Sequence, residues 1–275
     1  MSAVSHDLRM LEIDAADVAR HADAIDQILR HEVFGVLVRG VFPAAQLACV
    51  VARLERESAA PMFASDTFRG RTYGRVLRMA DGRLEEYFDA ARRMGPALEA
   101  AFGDGKGYET RLREIVGALG GGRPVCVPAV GARTYAPATV RVIEPGGTIF
   151  LHCGNETYAF PALSELTGII DPAGEISTLM PLALPESGGE LEVYDVCFGD
   201  PLIAELDNRL GRECAHHGLS ERRCLRLRPA VGDLALFEEG RYYHRVNEVQ
   251  GTQSRWTMGG FLAPSRDART LHYWS

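Results

Sequence analysis

In the first part of the chain, hydrophobic residues recur mostly at helical spacing. The apolar side chains of residues 15–30 fall on one face, which predicts an amphipathic helix with Asp14 as its N-cap. The same pattern predicts three further helices and one short strand, over residues 43–54, 84–102, 108–119 and 34–39 respectively. Residues 62–81 have no regular pattern and mixed charge, so we expect a long loop over a pocket there.

After Pro124 the pattern changes to short apolar or alternating segments separated by Gly and Pro pairs. The predicted strands span residues 138–143, 148–152, 177–184, 190–194, 225–227, 234–237, 242–249 and 255–263. About eight strands without crossover helices indicate an antiparallel double-stranded β-helix, a cupin-like jelly roll. We therefore expect a mainly β protein with one domain over residues 1–275. Residues 1–123 would form a helical buttress and substrate loop, and residues 124–275 the jelly-roll core.

Composition excludes several classes of protein. The net charge is −7 and there is no basic stripe with interleaved aromatic residues, which argues against nucleic acid as a partner. No apolar run is long enough for a membrane helix, and the first residues lack the features of a secretory signal. The 6 cysteines form no CxxC pair, which is typical of reduced thiols in a cytoplasmic protein.

His152, Gly154 and His244 form the most informative pattern. Alternate residues of a strand share a face, so His152 and Gly154 are expected on one side of the predicted strand that they share. Iron enzymes with two histidines and one carboxylate use His-x-Asp/Glu followed by a distant histidine. Here glycine stands at the carboxylate position, so the metal would keep two protein ligands and accept an external anion. Chloride has the charge of the missing carboxylate, and the sequence therefore favours a halide at the metal.

Arg255 and Thr257 supply a third element on a later strand. An oxidising iron site of this type needs a two-electron co-reductant, and 2-oxoglutarate serves by chelating iron through its keto acid end. Its distal carboxylate then needs a buried cationic partner. Arginine is preferred because its planar fork holds a carboxylate through two charge-assisted hydrogen bonds. Thr257 would share the face of Arg255 and add a hydroxyl donor.

One other carboxylate lies near the predicted metal strand. If the strand continued, the Cα of Glu156 would lie roughly 13 Å from that of His152, at about 3.3 Å per residue. A histidine and a glutamate that bind one metal span about 11 Å between Cα atoms at most. Glu156 could therefore be a ligand only if the chain bends after Gly154.

The chain resembles the iron- and 2-oxoglutarate-dependent aliphatic halogenases that act on free indole alkaloids of the hapalindole and welwitindolinone type. The shared segments run along nearly the whole chain and include Arg39-Gly40-Val41-Phe42-Pro43, Thr134-Tyr135-Ala136-Pro137-Ala138-Thr139, His152-Cys153-Gly154-Asn155, Pro185-Glu186-Ser187-Gly188-Gly189-Glu190-Leu191, Gly240-Arg241-Tyr242-Tyr243-His244-Arg245-Val246 and Tyr273-Trp274-Ser275. The resemblance implies Fe(II), 2-oxoglutarate, chloride and the co-substrate O2. It implies hydrogen abstraction from an unactivated aliphatic carbon followed by transfer of chlorine, in natural-product biosynthesis.

The resemblance also implies roles for the site residues other than Thr257. His152 and His244 match the iron ligands, Gly154 the halide position and Arg255 the anchor of 2-oxoglutarate. The other correspondences are Ser177 with a serine that orients the oxo group, and Ile149 and Thr157 with positions near the substrate. The family has an aromatic residue where this chain has Thr157, and residues 62–81 also depart from its pattern. We expect a free, largely hydrophobic small molecule as substrate, an alkaloid or a polyketide, and no carrier protein.

Other functions remain open at this point. The same scaffold could hydroxylate or desaturate its substrate, with water in the halide position. It could also be a non-catalytic jelly-roll binding protein or a sensor of iron or small molecules. Product mass spectra with and without chloride, together with succinate release, separate these alternatives.

Overall fold

The structure is a computed structural model and describes residues 8–57, 59–103 and 105–275. Within these residues, the α-helices are α1 (Ala24–Leu29), α2 (Ala44–Glu57), α3 (Leu84–Phe102), α4 (Tyr108–Leu119) and α5 (Pro201–Leu210). The strands of the first part are β1 (Met10–Asp14), β2 (Gly35–Arg39), β3 (Met62–Ala64), β4 (Gly70–Tyr73), β5 (Val125–Cys126), β6 (Ala129–Val130), β7 (Arg133–Thr134), β8 (Thr139–Ile143) and β9 (Ile149–His152). They are followed by β10 (Ile176–Ala183), β11 (Ser187–Gly188), β12 (Leu191–Cys197), β13 (Cys224–Leu227), β14 (Leu234–Phe237), β15 (Tyr242–Val246), β16 (Val249–Gln250), β17 (Arg255–Pro264) and β18 (Leu271–Trp274).

Two sheets form the centre of the molecule. The main sheet has the order β1-β2-β14-β10-β17-β8-β4-β3, with β18 paired to β17 and β5 to β18. The second sheet has the order β13-β12-β15-β9, and its pairs are antiparallel. Leu37, Ile143 and Phe237 of the main sheet share one buried cluster with Val193 and Tyr242 of the second sheet. The two sheets therefore pack face to face, and the predicted jelly-roll fold is confirmed.

The helices before β5 cover the other face of the main sheet. Val36, Val140 and Met258 pack there with Leu47 of α2 and Leu98 of α3 in the largest apolar cluster. Each of these strand residues neighbours one that faces the second sheet, because side chains alternate along a strand. Burial of both faces explains why the strands of the main sheet are so apolar. The face toward the second sheet is called the inner face, and it carries Ser177, Arg255 and Thr257.

The chain before residue 124 contains more strand than the sequence predicts. The expected helix over residues 15–30 is wrong in part, since the segment holds only a 3-10 helix (Val18–Arg20) and α1. Asp14 ends β1, and its carboxylate accepts a hydrogen bond from the Ala16 backbone N–H at 2.8 Å. It therefore closes a turn instead of capping a long helix.

The expected irregular loop at residues 62–81 is also partly structured. β3 and β4 form an antiparallel hairpin, and β4 continues the main sheet beside β8. A 3-10 helix (Leu77–Met79) follows and carries Arg78, which is buried. This segment thus connects the edge of the sheet to the interior of the barrel.

α2, α3 and α4 were predicted, and the bounds of α3 and α4 agree with the prediction. α5 was missed, although Asp200 accepts a hydrogen bond from the Leu202 N–H and Pro201 occupies the first turn. Ile203 and Leu206 of α5 pack with Leu151 and Tyr243 on the outer face of the second sheet. The helix therefore supports β9 and β15 from behind. None of the helices in the described residues is long and apolar enough to span a membrane.

Candidate metal and halide site

His152 and His244 lie side by side on neighbouring strands. β9 and β15 are antiparallel, and the two histidines are direct cross-strand partners. Their ring centroids are 4.2 Å apart. Two histidines that are distant in sequence are thus neighbours, which a shared metal ion would require. Their role as metal ligands stays a prediction.

Each imidazole is oriented by a backbone carbonyl of its own strand. The Nδ1 atom of His152 lies 2.8 Å from the Phe150 carbonyl oxygen, and that of His244 lies 2.9 Å from the Tyr242 carbonyl oxygen. Nδ1 therefore carries the proton, and Nε2 keeps its lone pair for a metal. Burial lowers the pKa of both side chains, that of His152 to about 3 with His244 adding to the effect. Both imidazoles are consequently neutral at neutral pH, which is the form that binds metals.

Gly154 lies two residues after His152, at the point where the chain leaves the second sheet. β9 ends at His152, and a 3-10 turn covers Gly154–Thr157. A Cβ atom on Gly154 would lie 3.0 Å from Glu175 Oε1 and 3.1 Å from Arg78 Nη1. The glycine thus faces a cluster of charged side chains near the two histidines.

The bend after Gly154 turns Glu156 away from the histidines. Its carboxylate lies 3.0 Å from Arg212 Nη1 and accepts a hydrogen bond from the Tyr243 hydroxyl at 3.0 Å. Tyr243 precedes His244 on the strand and faces the opposite side of the sheet. The alternative in which Glu156 completes the metal site is therefore excluded by its orientation.

Glu239 was missed in the sequence and lies next to the two histidines. Potential ligand atoms of His152, Glu239 and His244 all lie within 4.8 Å of one another, and Glu239 Oε1 is 3.8 Å from His244 Nε2. Backbone hydrogen bonds fix the turn between β14 and β15 against Gly154, whose N–H donates to the Glu239 carbonyl at 3.3 Å. No His-x-Asp/Glu spacing identifies this carboxylate, because it belongs to the turn before the distal histidine.

Arg78 lies between Glu239 and a second buried carboxylate, Glu175. Its Nη1 is 3.3 Å from Glu239 Oε1, and its Nη2 contacts Glu175 Oε1. Glu175 also accepts a hydrogen bond from the Tyr158 hydroxyl. Burial raises the pKa of Glu175, whereas for Glu239 burial is opposed above all by the charge of Arg78, and its pKa is lowered. Arg78 thus bridges two buried carboxyl groups beside the histidines.

Arg255 lies on the inner face of β17 and is buried. It donates a hydrogen bond to the Thr257 hydroxyl at 3.2 Å. Among the described residues, no aspartate or glutamate pairs with it, and Arg141, the cross-strand partner of Thr257, acts on it as a like charge. Burial, followed by Arg141, lowers the pKa of Arg255 to about 10. A buried guanidinium without a carboxylate indicates a site for an external anion.

Three other residues that the sequence predicts for the site are Ser177, Ile149 and Thr157. Ser177 and Thr257 line a small cavity together with Arg141. Ser177 donates a weak hydrogen bond to the Gly260 carbonyl at 3.4 Å. Ile149 packs at the edge of the apolar cluster between the sheets. Thr157 donates a hydrogen bond to the Gly154 carbonyl at 2.8 Å, so its hydroxyl stabilises the turn. The roles of these residues stay predictions.

The geometry fits an iron site: the Nδ1 atoms of both histidines are engaged by carbonyl groups, and on the facing sheet lies a buried guanidinium that has no acidic partner among the described residues. The family of carrier-protein-independent halogenases named after WelO5 matches residues 8–275. The chain belongs to this family. It is an Fe(II)- and 2-oxoglutarate-dependent halogenase that uses chloride and acts on a free small molecule.

Solved structures with the same fold are distant in sequence. An N-substituted L-amino acid dioxygenase from Burkholderia ambifaria AMMD has a TM-score of 0.57 and 18% identity, and 91% of each chain is covered. A structure of such a dioxygenase from the same organism, in complex with α-ketoglutarate, gives a TM-score of 0.52 and 16% identity over 92% of this chain and 91% of the other. At these identities the likeness shows the fold alone. No curated protein matches the chain significantly.

Proposed function

We propose that His152 and His244 hold Fe(II) and that chloride binds beside Gly154. The observation that carries this proposal is the arrangement of the two imidazoles, each with Nδ1 bound to a carbonyl and Nε2 free, next to a residue without a side chain. Neutral, pre-oriented imidazoles bind Fe(II) without first losing a proton. Glycine at the adjoining position has no donor atom in its side chain, so a third ligand, an anion, would come from solution.

We propose further that Arg255 and Thr257 bind the distal carboxylate of 2-oxoglutarate. The guanidinium is buried and has no acidic partner in the described part of the chain, and the Thr257 hydroxyl is within hydrogen-bond distance of it. A carboxylate that enters this subsite restores charge balance and receives a fork of two N–H donors. The keto acid end of 2-oxoglutarate would then point along the inner face of the barrel.

Iron held by His152 and His244, with 2-oxoglutarate held by Arg255, would supply the O2 activation and hydrogen abstraction that chlorination of an aliphatic carbon needs. The protein's contribution is positioning, since the target carbon must lie nearer to the halide than to the oxygen-derived ligand. Ser177 lies within the inner cavity and is our candidate for a hydrogen bond to that ligand. Ile149 and Thr157 are our candidates for substrate contacts.

We propose a hydrophobic alkaloid or polyketide as the substrate and the cytoplasm as the place of action. The family description supports a free small molecule. All six cysteines are free thiols, which suits a reducing compartment.

We also propose that residues 1–275 act as one domain, with 1–123 as buttress and substrate loop and 124–275 as core. In support, strands β1 to β4 add to the main sheet of the core.

The metal assignment predicts that His152→Ala and His244→Ala each weaken Fe(II) binding by about 100-fold or more, because each removes one of two protein ligands. Equilibrium dialysis under anaerobic conditions measures this loss. Succinate release and the chlorinated product should disappear in parallel. His217→Ala serves as the control, since His217 is exposed on the other side of the molecule's second sheet.

Product analysis separates the alternative functions. An oxygenated or desaturated product that forms equally well without chloride would identify a hydroxylase or desaturase. Absence of succinate with every candidate substrate, despite bound Fe(II), would favour a binding protein. Unchanged Fe(II) affinity in both histidine variants would contradict the assigned ligands.

A further inference from the structure

Two buried carboxylates lie beside the proposed iron site, and neither belongs to the His-x-Gly motif. Glu175 is 2% exposed and Glu239 is 5% exposed. Two donors at right angles on a metal, each about 2.1 Å from it, are about 3 Å apart. Glu239 Oε1 is 3.8 Å from His244 Nε2, so a shift of about 1 Å would make Glu239 a ligand. A carboxylate that reaches the metal would compete directly with chloride, because the two carry the same charge.

Arg78 is the charged partner of Glu239, whose carboxylate also accepts a hydrogen bond from the Ser177 hydroxyl. One guanidinium nitrogen lies 3.3 Å from Glu239 Oε1, and another contacts Glu175. The guanidinium carbon is 4.0 Å from the ring centroid of Phe261 and 5.7 Å from that of Tyr158. Phe261 belongs to β17 and Tyr158 to the end of the turn after β9, and contact with these two rings fixes the plane of the guanidinium. Arg78 is therefore a rigid partner for the carboxylates rather than a mobile surface cation.

The position of Arg78 also relates it to Gly154. Its Nη1 lies 3.1 Å from the place that a Cβ atom of Gly154 would occupy. The same nitrogen contacts Glu239 Oε1, so one N–H-bearing group adjoins both the glycine and the competing carboxylate. A cation at this point attracts an anion to the side of Gly154 while it engages the oxygen of Glu239 that faces His244.

We propose that Arg78 is a positioning residue that holds the Glu239 carboxylate off the metal and thereby leaves the position beside Gly154 to the halide. This inference rests on the proposed iron and halide site. It assigns a role to the 3-10 helix after β4, since Arg78 on that helix ties residues 62–81 to the metal site. Without Arg78, Glu239 would turn to the metal and complete a two-histidine, one-carboxylate site.

Spectroscopy of the cobalt-substituted protein tests the proposal without turnover. Co(II) replaces Fe(II) in anaerobic full-length protein with 2-oxoglutarate, and the visible spectrum is followed during titration with chloride and with bromide. We expect the wild-type spectrum to change with halide and to differ between the two halides. In Arg78→Met we expect that change to be lost and the protein to bind Co(II) more tightly than the wild type, because Glu239 adds a ligand.

The double variant Arg78→Met/Glu239→Gln separates positioning from a general structural role. We expect it to regain the halide-dependent spectrum, since the amide is a poor competitor for the metal. Arg78→Lys, which keeps the charge, is expected to keep part of the halide response. The matched control is Arg75→Met, which removes an arginine of the same segment that pairs with Glu86 at 2.7 Å and lies outside the cluster. Circular dichroism and thermal unfolding verify that each variant is folded.

The outcomes distinguish this inference from the proposed halide site. If wild type and Arg78→Met respond equally to halide, Arg78 does not hold Glu239 and the inference is wrong, while the halide site stands. If Arg78→Met loses the halide response but binds Co(II) more weakly and the double variant does not recover, the role of Arg78 is only structural. The single variant Glu239→Gln is measured alongside; if the wild type gives no response and Glu239→Gln does, Glu239 is already a ligand and both proposals fail. If no variant responds, the halide does not bind at this metal.

Discussion

Replacement of Gly154 by aspartate is expected to abolish chlorination and to permit hydroxylation. The new carboxylate would occupy the position that we assign to chloride and would complete a two-histidine, one-carboxylate site. Gly154 is not among the glycines with positive φ, so aspartate can adopt its backbone conformation. We expect chlorinated product to fall by about 100-fold or more, which corresponds to about 2.7 kcal/mol in the barrier. Mass spectrometry of the products, with and without chloride, measures both changes.

Steric effects at this position need their own control. A Cβ atom on residue 154 would lie 3.0 Å from Glu175 Oε1 and 3.1 Å from Arg78 Nη1, so even a methyl group displaces these side chains slightly. Gly154→Ala adds that methyl group without a metal donor. We expect weaker chlorination in this variant and no gain of hydroxylated product. Chlorination by Gly154→Asp at the wild-type rate would show that the halide binds elsewhere.

The parts of the fold that the sequence predicts are those with a strong local period. β10 and β17 are mostly apolar segments that are buried along nearly their whole length, and α3 and α4 have one apolar face each and Gly beyond their ends, so their existence follows from short-range preferences. β1 and β3 were missed for the opposite reason. Both are short strands near the sheet edges with half-exposed side chains, and they are stabilised by backbone pairing to β2 and β4. Such pairing leaves little trace in the pattern of hydrophobic residues.

The candidate site divides in a similar way. His152, Gly154 and His244 could be singled out because metal chemistry restricts residue type and spacing, and the cross-strand register brings the two histidines together. Their roles at a metal stay predictions. Arg78 and Glu239 could not be predicted. Glu238 and Glu239 precede Gly240 in a turn, a position where acidic residues are usually solvated. Their burial is set by tertiary contacts, since the partner of Glu239 lies on a segment with no readable pattern.

Arg255→Met is expected to weaken 2-oxoglutarate binding strongly and to stabilise the protein without ligands. Loss of one partner from a buried, hydrogen-bonded charge pair costs about 2–5 kcal/mol, which is roughly 30-fold to several thousand-fold in affinity. Methionine retains much of the volume and has no charge to desolvate. Isothermal titration calorimetry of the anaerobic Co(II) protein with 2-oxoglutarate measures the affinity.

The stability effect follows from the lowered pKa of Arg255. Burial, followed by repulsion from Arg141, lowers this pKa from 12.5 to about 10, so the charged side chain opposes folding. The unfolded chain binds more protons than the folded protein between these two values, and this cost is therefore fully present at neutral pH and disappears only as the pH rises through that range. We expect Arg255→Met to raise the Tm of the ligand-free protein, by roughly 2–4 °C for each kcal/mol recovered.

Two further variants make the test specific for a carboxylate anchor. Arg255→Lys keeps the charge but lacks the planar fork, so we expect intermediate affinity for 2-oxoglutarate. Arg269→Met removes an arginine whose side chain is 86% exposed, and we expect it to change neither affinity nor Tm. 2-Oxoglutarate should raise the Tm of the wild type and of Arg269→Met but not that of Arg255→Met, because only a protein that binds the ligand is stabilised by it. If Arg255→Met bound 2-oxoglutarate as tightly as the wild type, the distal carboxylate would have to lie elsewhere, and Arg141, which shares the same inner face, would be the next residue to substitute.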